Sequence, residues 1–206
     1  QFPPPNLPAG EAHEVMLDDD KLLLPSGRRL WNHELLHQPG LAGRFCYVHS
    51  SFCQKRLFDV QFFVDGATAP IYDNQYRIER SPSHTLVTYV LGDVRIEETK
   101  YITWDDRAVC SYRLQSTDKQ AHTVDIEVLA PYLTMPNADA APAYPLIGSG
   151  TVQKIPVFVY LDAPGFSRSE GAAIHLRRSF SVAAESPTAA PVEAQVAVSF
   201  ENQRRN

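Results

Sequence analysis

The sequence has few cysteines, no dense block of positive charge and no long hydrophobic run, and each absence excludes a class of protein. Three cysteines are too few for a disulfide scaffold, and they lack the paired spacing of a structural zinc site. The net charge is -5, so we expect no nucleic-acid partner. No apolar run approaches the roughly 20 residues that span a bilayer, so we expect no membrane partner. The densest basic clusters are pairs that we interpret as solvated faces: Arg28/Arg29, Arg177/Arg178 and Arg204/Arg205.

The few cysteines still suggest where the protein works. Cys46 and Cys53 flank a short segment, so a hairpin could bring them within bridging range in an oxidising compartment, although the spacing alone leaves the bridge open. Cys110 falls on the inward phase of its segment and is predicted to be a buried thiol. The sequence begins with Gln1 and a proline run, as the mature end left by signal cleavage can, and we expect a secreted or periplasmic protein.

Alternation of two sets of side chains, one of them apolar, is the main structural signal. It occurs over residues 58–64, 108–115, 123–128 and 192–200, which is the period of a sheet with one buried face. Residues 94–130 are predicted to form three consecutive antiparallel strands. Gly92-Asp93 is suited to a tight hairpin, and the Pro- and Ala-rich stretch 131–150 to a crossover between sheets. The pattern predicts an all-β protein, a large two-sheet antiparallel β-sandwich.

The first forty residues differ in composition from the rest. Residues 1–25 are predicted to form a Pro-rich extended arm and a first strand, with the arm docked on another surface. Ser26 to Gln38 has the pattern of a short helix capped by Ser26 and stopped by Pro39-Gly40, which makes 26–40 a short helix or turn. The sandwich domain is then predicted to occupy residues 41–206.

His33-Glu34-Leu35-Leu36-His37 is an H-E-x-x-H string. On a helix, the imidazoles of His33 and His37 can share a zinc ion while Glu34 acts as the base. Pro39 ends the segment at once, and Gly43 stands where the extended motif needs a third ligand. We therefore expect no cofactor and keep a zinc-dependent hydrolase as an alternative.

Pairs of carboxylates are candidate catalytic groups, because glycosidases use two carboxylates on one substrate. Glu97-Glu98 and Asp105-Asp106 are neighbours in sequence, and neighbours on a strand point to opposite faces. Asp105-Asp106-Arg107 is predicted to be a turn with a local ion pair. No catalytic residue is assigned.

Aromatic residues could form a glycan-binding surface, because exposed rings stack on sugar faces. The alternative is packing in the core or at an interface. The glycan-contact candidates are Trp31, Trp104, Tyr72, Tyr76 and Tyr144.

Three segments also resemble a known family. The strand IEET, the turn and strand WDDRAV, and the strand TVDIEVLAP resemble the N-terminal β-sandwich, or supersandwich, domain of glycoside hydrolases whose catalytic part is an (α/α)6 barrel. The resemblance covers about residues 55–200. It implies a large sandwich that packs on a helical catalytic domain or borders a glycan cleft. The family's catalytic carboxylates lie mainly in the barrel, so the resemblance transfers none to this chain.

The sequence therefore predicts a non-catalytic β-sandwich module associated with carbohydrate-active enzymes. The expected partners are a glycan or a helical catalytic domain. The alternative is a self-assembling extracellular structural protein that uses its arm and edge strands to form a homo-oligomer.

Overall fold

The computed structural model describes residues 13–14, 26–32, 38–69, 76–81, 83–138, 145–169 and 173–206. Within these ranges every regular element is a β-strand, and none of the residues belongs to a helix that could cross a membrane. Eight strands precede the Trp104 turn: β1 (His13–Glu14), β2 (Leu30–Asn32), β3 (Gly40–Tyr47), β4 (Phe52–Val64), β5 (Ala67–Thr68), β6 (Tyr76–Arg80), β7 (Thr85–Leu91) and β8 (Val94–Ile102). Seven follow it: β9 (Arg107–Ser116), β10 (His122–Ala130), β11 (Leu146–Val152), β12 (Ile155–Asp162), β13 (Ser167–Ser169), β14 (Ile174–Val182) and β15 (Val192–Glu201).

The strands form two antiparallel sheets. The eight-stranded sheet has the order β1-β6-β7-β8-β9-β15-β12-β11. The seven-stranded sheet has the order β13-β14-β10-β4-β3-β2, and β5 pairs with β4 outside that path. The predicted all-β, two-sheet antiparallel sandwich is confirmed.

The core lies between the sheets because each long strand is apolar on one face. In β10, Val124, Ile126 and Val128 are fully buried, as their alternation predicts. Phe62 of the seven-stranded sheet packs edge-on against Tyr112 of the eight-stranded sheet, with ring centroids 5.9 Å apart. Aromatic contacts of this kind join the two sheets at mid-height.

A buried ion pair interrupts the apolar core. Glu98 and Lys100 lie on the inward face of β8 with side chains 0% exposed, and Lys100 Nζ is 3.1 Å from Glu98 Oε2. The Glu98 carboxylate also accepts hydrogen bonds from Tyr89 Oη at 2.9 Å and from the Gly40 backbone N–H at 2.7 Å. Lys100 donates to the carbonyl of Gln38. The pair thus fastens the start of β3 to the opposite sheet.

The structure corrects the prediction of a helix over residues 26–38. Leu30–Asn32 forms strand β2, which pairs antiparallel with Tyr47–Phe45 of β3. Leu30 and Asn32 are buried and Trp31 alternates with them, which is the period of a strand. Sheet pairing therefore prevails over the weak helical pattern. Residues 33–37 lie outside the described residues.

Two predicted connections have different outcomes. Segment 94–130 contains three strands, but only β8 and β9 pair with each other, because β10 pairs with β4 and β14 of the other sheet. The three predicted strands are present, but β10 does not pair with β9. The crossover after Pro131 is confirmed, since β10 and β11 belong to different sheets. The strand that follows this crossover, β11, begins at Leu146, which lies within the predicted connection 131–150.

Of the N-terminal arm, the structure describes His13–Glu14 alone. These two residues pair antiparallel with Arg80–Glu79 of β6 and form an edge of the eight-stranded sheet. Residues 1–12 lie outside the described residues, so docking of the whole arm and its part in self-assembly stay predictions.

The ends of the sandwich are built from different loops. The Trp104 end contains segment 26–29, the β3–β4 loop 48–51, the turn 103–106 and the C-terminal residues 202–206. The His122 end contains the Asp65–Gly66 turn and the loop 117–121. The ten residues of β9 span the distance between the ends, about 30 Å.

Candidate functional site: a cleft at the Trp104 end

Among the described members of the predicted aromatic set, Trp104 and Tyr76 lie on different parts of the surface. Trp104 is 76% exposed in the turn between β8 and β9, and Tyr76 is 49% exposed at the start of β6. Tyr76 pairs with Tyr89, toward the His122 end, so it lies far from Trp104. Trp31 is half-buried in β2, at the same end as Trp104. Tyr72 and Tyr144 lie outside the described residues.

Asp106 organises the turn that presents Trp104. Its backbone is left-handed, with φ of 65°, and its carboxylate is buried. Asp106 Oδ1 accepts hydrogen bonds from the backbone N–H groups of Arg29 at 2.6 Å and Leu30 at 2.8 Å. The Arg28 N–H adds a bond to the Trp104 carbonyl at 3.0 Å. The turn and segment 26–30 are therefore held as one unit.

A cleft of about 510 Å³ opens beside this unit. Segment 26–29, the turn, the end of β3 and the C-terminal residues form its walls. Its lining is mostly polar and includes guanidinium, carboxylate, amide and hydroxyl groups. The lining residues are Arg28, Arg29, Tyr47, Asp105, Asp106, Arg107, Ser199, Phe200, Glu201, Asn202, Gln203 and Arg205.

Arg205 fastens the C-terminal wall of the cleft. Its guanidinium bonds both carboxylate oxygens of Asp162, at 2.7 and 3.0 Å, and also contacts Glu201 at 2.6 Å. It lies over the ring of Tyr160, 4.3 Å from the centroid. Burial alone would raise the pKa of Asp162, but the Arg205 bonds and charge lower it below the ordinary value. The wall is thus fixed by a charged network on the outer face of the eight-stranded sheet.

Tyr47 lies on the floor of the cleft. Its ring stacks on Phe200 with centroids 5.0 Å apart, and its hydroxyl donates to Asn202 Oδ1 at 3.2 Å. Burial raises the pKa of Tyr47, and the Arg29 guanidinium opposes that rise. The phenol is therefore a protonated hydrogen-bonding group at neutral pH.

A strained loop follows Tyr47. Val48, His49 and Ser50 are three successive non-glycine residues with φ of 50°, 48° and 67°. Left-handed backbone is unfavourable for such residues, and most of all for a β-branched one. The loop is held by the Val48 N–H bond to the Arg29 carbonyl at 3.0 Å. Backbone strain of this kind is concentrated at functional sites in proteins.

A disulfide closes the same loop. Cys46 of β3 and Cys53 of β4 stand opposite each other in register, with Cα atoms 4.1 Å apart, and are bonded. Cys110 is a free, buried thiol whose pKa is raised by burial. The disulfide lies in the hairpin that supplies Tyr47 to the cleft.

The predicted zinc site lies outside the described residues at all three positions, His33, Glu34 and His37. Elsewhere in the described part of the chain, no group of three or more His, Cys, Asp or Glu side chains is placed to hold a metal ion. The H-E-x-x-H hydrolase therefore stays a prediction of the sequence.

The paired carboxylates are arranged as the strand period predicts, with one correction. Glu98 is buried in the core, whereas Glu97 lies on the outer face beside Arg95 at 2.7 Å. Asp105-Asp106 is a turn, but the predicted local ion pair with Arg107 is wrong. Asp106 binds backbone N–H groups instead, and Arg107 approaches Asp162 at 3.8 Å. The reason is that segment 26–30, distant in sequence, covers the turn. The backbone N–H groups of Arg29 and Leu30 in that segment need an acceptor, and Asp106 supplies it.

Sequence reasoning missed the arginines of the cleft. From the sequence alone, we interpret Arg28 and Arg29 as part of a solvated face. We interpret Arg107 as a residue of the turn. Their convergence depends on contacts about 77 positions apart in sequence, such as Arg29 to Asp106. The adjacent Arg28-Arg29 pair was the one available signal.

The His122 end carries a second polar cluster. His122 lies between two aspartates, with Nδ1 2.7 Å from Asp65 and Nε2 2.9 Å from Asp118. The bonds to Asp65 and Asp118 raise the pKa of His122. The cluster ties the Asp65–Gly66 turn to the loop 117–121, and it offers neither an aromatic surface nor a nucleophile.

Fold and site together define a β-sandwich domain with a polar cleft and an exposed tryptophan at one end. No family model matches the chain, and no curated protein matches it. One solved structure with a similar fold is a candidate kojibiose phosphorylase from the human microbiome, with a TM-score of 0.53 and 5% identity over 89% of this chain and 30% of that one. Another is the 4-α-glucanotransferase from Thermococcus litoralis, with a TM-score of 0.45 and 11% identity over 90% of this chain and 42% of that one. The chain thus spans less than half of either protein. The first likeness confirms the predicted resemblance at the level of fold.

Proposed function

We propose that this chain is a non-catalytic module of a carbohydrate-active enzyme and that its Trp104 cleft contacts glycan. The observation that carries the proposal is the position of Trp104. An indole that is 76% exposed stands on a rigid turn, and the next two residues of that turn, Asp105 and Asp106, line a polar cleft of about 510 Å³. Exposed aromatic rings are costly in water, and they stack well on the apolar faces of sugar rings.

The cleft supplies the second requirement for sugar binding. Sugar hydroxyls need both donors and acceptors in fixed positions, and the cleft offers guanidinium, carboxylate and amide groups. The Asp106 clamp and the Arg205 network hold the walls before any ligand arrives. A preformed site loses little conformational entropy on binding.

The module acts beside a helical catalytic domain in this proposal. The fold likeness supports it, because the sandwich corresponds to 30% of the candidate phosphorylase, a protein long enough to hold further domains. The Trp104 cleft then borders the substrate path and orients the chain that the catalytic domain cleaves. The proposed location is outside the cytoplasm, which the Cys46–Cys53 disulfide supports.

Glycan binding is tested by titrating the full chain with a panel of neutral and acidic oligosaccharides. Tryptophan fluorescence and calorimetry report binding. Trp104→Ala is expected to weaken binding by about tenfold or more, because it removes the stacking surface.

Tyr76→Ala is the matched control, since Tyr76 is 49% exposed and lies toward the opposite end. It is expected to leave affinity unchanged. Equal losses in the two variants, or no binding of any glycan by the unaltered chain, would contradict the proposed cleft.

A further inference from the structure

The arginines of the Trp104 cleft share its carboxylates unevenly. Four arginines and three acidic residues line it. Arg205 is neutralised by Asp162 and Glu201, both within 3.0 Å of its guanidinium. Three arginines remain: Arg28, Arg29 and Arg107.

In the described part of the chain, these three have either no carboxylate partner or a distant one. Among the described residues no acidic side chain forms an ion pair with Arg28 or Arg29. Arg107 approaches Asp162 at 3.8 Å, but both oxygens of that carboxylate already accept Arg205. Arg107 Nε is buried, and no acceptor in the described part of the chain reaches it. Arg28 and Arg29 are therefore the cleft arginines without a carboxylate partner among the described residues, and Arg107 has only a distant one.

In the described part of the chain, neither aspartate of the turn forms an ion pair with an arginine. Asp106 Oδ1 accepts hydrogen bonds from the backbone N–H groups of Arg29 and Leu30 instead. Asp105 is exposed and suited to a sugar hydroxyl. The guanidinium groups of Arg28 and Arg29 lie near enough to the Tyr47 hydroxyl to oppose the rise of its pKa. Both side chains therefore face the cleft floor.

We infer that the cleft binds the carboxylate of an acidic glycan, such as one that contains uronic acid, with Trp104 against the sugar ring. The inference rests on the proposed function. Guanidinium groups form paired, charge-assisted bonds with carboxylates, and these bonds are stronger than bonds between neutral groups. A sugar acid presents a carboxylate and a stacking face on one rigid ring, which suits arginines that line the cleft and an exposed indole on the adjoining turn.

A free inorganic anion could offer similar oxygens without a sugar. The experiment therefore compares three probes on the full chain: an oligogalacturonide, the same oligosaccharide with its carboxylates reduced to alcohols, and inorganic phosphate. Calorimetry at low and moderate salt measures each affinity. The acidic oligosaccharide is expected to bind at least tenfold more tightly than its reduced form, and more weakly as salt rises.

Arg28→Gln and Arg107→Gln are expected to remove most of the preference for the acidic sugar. Both leave a polar side chain and remove the positive charge. Arg44→Gln is the matched control, because Arg44 is exposed on β3 and does not line the cleft. Thermal unfolding of each variant verifies that the fold is intact.

The outcomes separate the inference from the proposal on which it rests. Equal binding of the acidic and reduced sugars, both lost in Trp104→Ala, overturns the acidic preference and leaves the glycan module intact. Phosphate binding as tightly as the acidic sugar also overturns it. If no saccharide binds, both fail.

Discussion

Two aspartates with left-handed backbones hold the opposite ends of this sandwich in different ways. Asp106, with φ of 65° and 5% exposure, accepts two buried backbone N–H bonds from a segment distant in sequence. Asp65, with φ of 51° and a side chain 55% exposed, accepts the Thr123 N–H and the His122 imidazole. The Trp104 end is therefore fixed by backbone bonds to a buried carboxylate, whereas the His122 end depends on an exposed carboxylate bonded to a titrating imidazole. A cleft of stable shape needs walls that are held by backbone bonds to a buried group such as Asp106.

The largest effect is expected at mid-height, where neither end is involved. Lys100→Met leaves the Glu98 carboxylate buried without its counter-charge, which should cost about 3 to 5 kcal/mol of unfolding free energy. Lys119→Met is the control, since Lys119 is 80% exposed in its pair with Glu185 and should cost under about 1 kcal/mol. Denaturant unfolding measures both. Similar losses would mean that the interior pair is not the anchor between the sheets.

The comparison of the two aspartates can be tested directly with glycine, which tolerates both backbones. Asp106→Gly should cost about 2 to 4 kcal/mol, because two backbone donors lose their charged acceptor in a buried setting. Asp65→Gly should cost clearly less, since water replaces its exposed bonds. Urea unfolding at pH 7 gives both values. A larger loss at Asp65 would reverse our assignment of the rigid end.

The disulfide is expected to add a smaller increment to the Trp104 end. The double change Cys46→Ser and Cys53→Ser should lower the unfolding free energy by about 2 to 3 kcal/mol, as expected for closing a short loop. Thermal unfolding with and without reductant provides the control, because reductant should destabilise the unaltered chain and not the double variant. A double variant as stable as the oxidised protein would show that the hairpin needs no covalent closure.

The fold was largely predictable from the sequence, because strand alternation is a local signal. Val124, Ile126 and Val128 are buried on the predicted face, and Gly92 has the positive φ of 59° that its hairpin requires. Sheet membership was not predictable in the same way. The partners of β10 lie far away in sequence, and no residue pattern in segment 94–130 predicts that the chain passes to the other sheet after Ser116.

The site was predicted only in part. Trp104 was named as a glycan-contact candidate, and its high exposure agrees with that role without testing it. The arginines of the cleft were interpreted as solvated faces, because their partners come together through tertiary contacts. Asp106 shows the same limit: its sequence neighbours predict a turn, but its buried acceptor role follows from segment 26–30 lying on that turn.

The smallest expected effect concerns the titrating end. Bonds to Asp65 and Asp118 raise the pKa of His122 above its ordinary value of 6.5. A group whose pKa is raised on folding stabilises the fold fully below its unfolded pKa and loses that contribution as pH rises through the folded value. The pKa values of Asp65 and Asp118 are lowered from 3.8, so their contribution is lost only in stronger acid. The cluster should therefore stabilise the fold most between about pH 4 and 6.5.

His122→Gln keeps a hydrogen-bonding side chain but cannot become charged. The melting temperature of this variant should lie about 1 to 3 °C below that of the unaltered chain at pH 5.5. The two melting temperatures should become equal by pH 9. His49→Gln is the control for a histidine outside this cluster, since His49 is exposed in the loop of the opposite end. If the difference in melting temperature between His122→Gln and the unaltered chain stays constant from pH 5.5 to 9, protonation of His122 does not hold this end. The two ends would then differ only in how deeply Asp106 and Asp65 are buried.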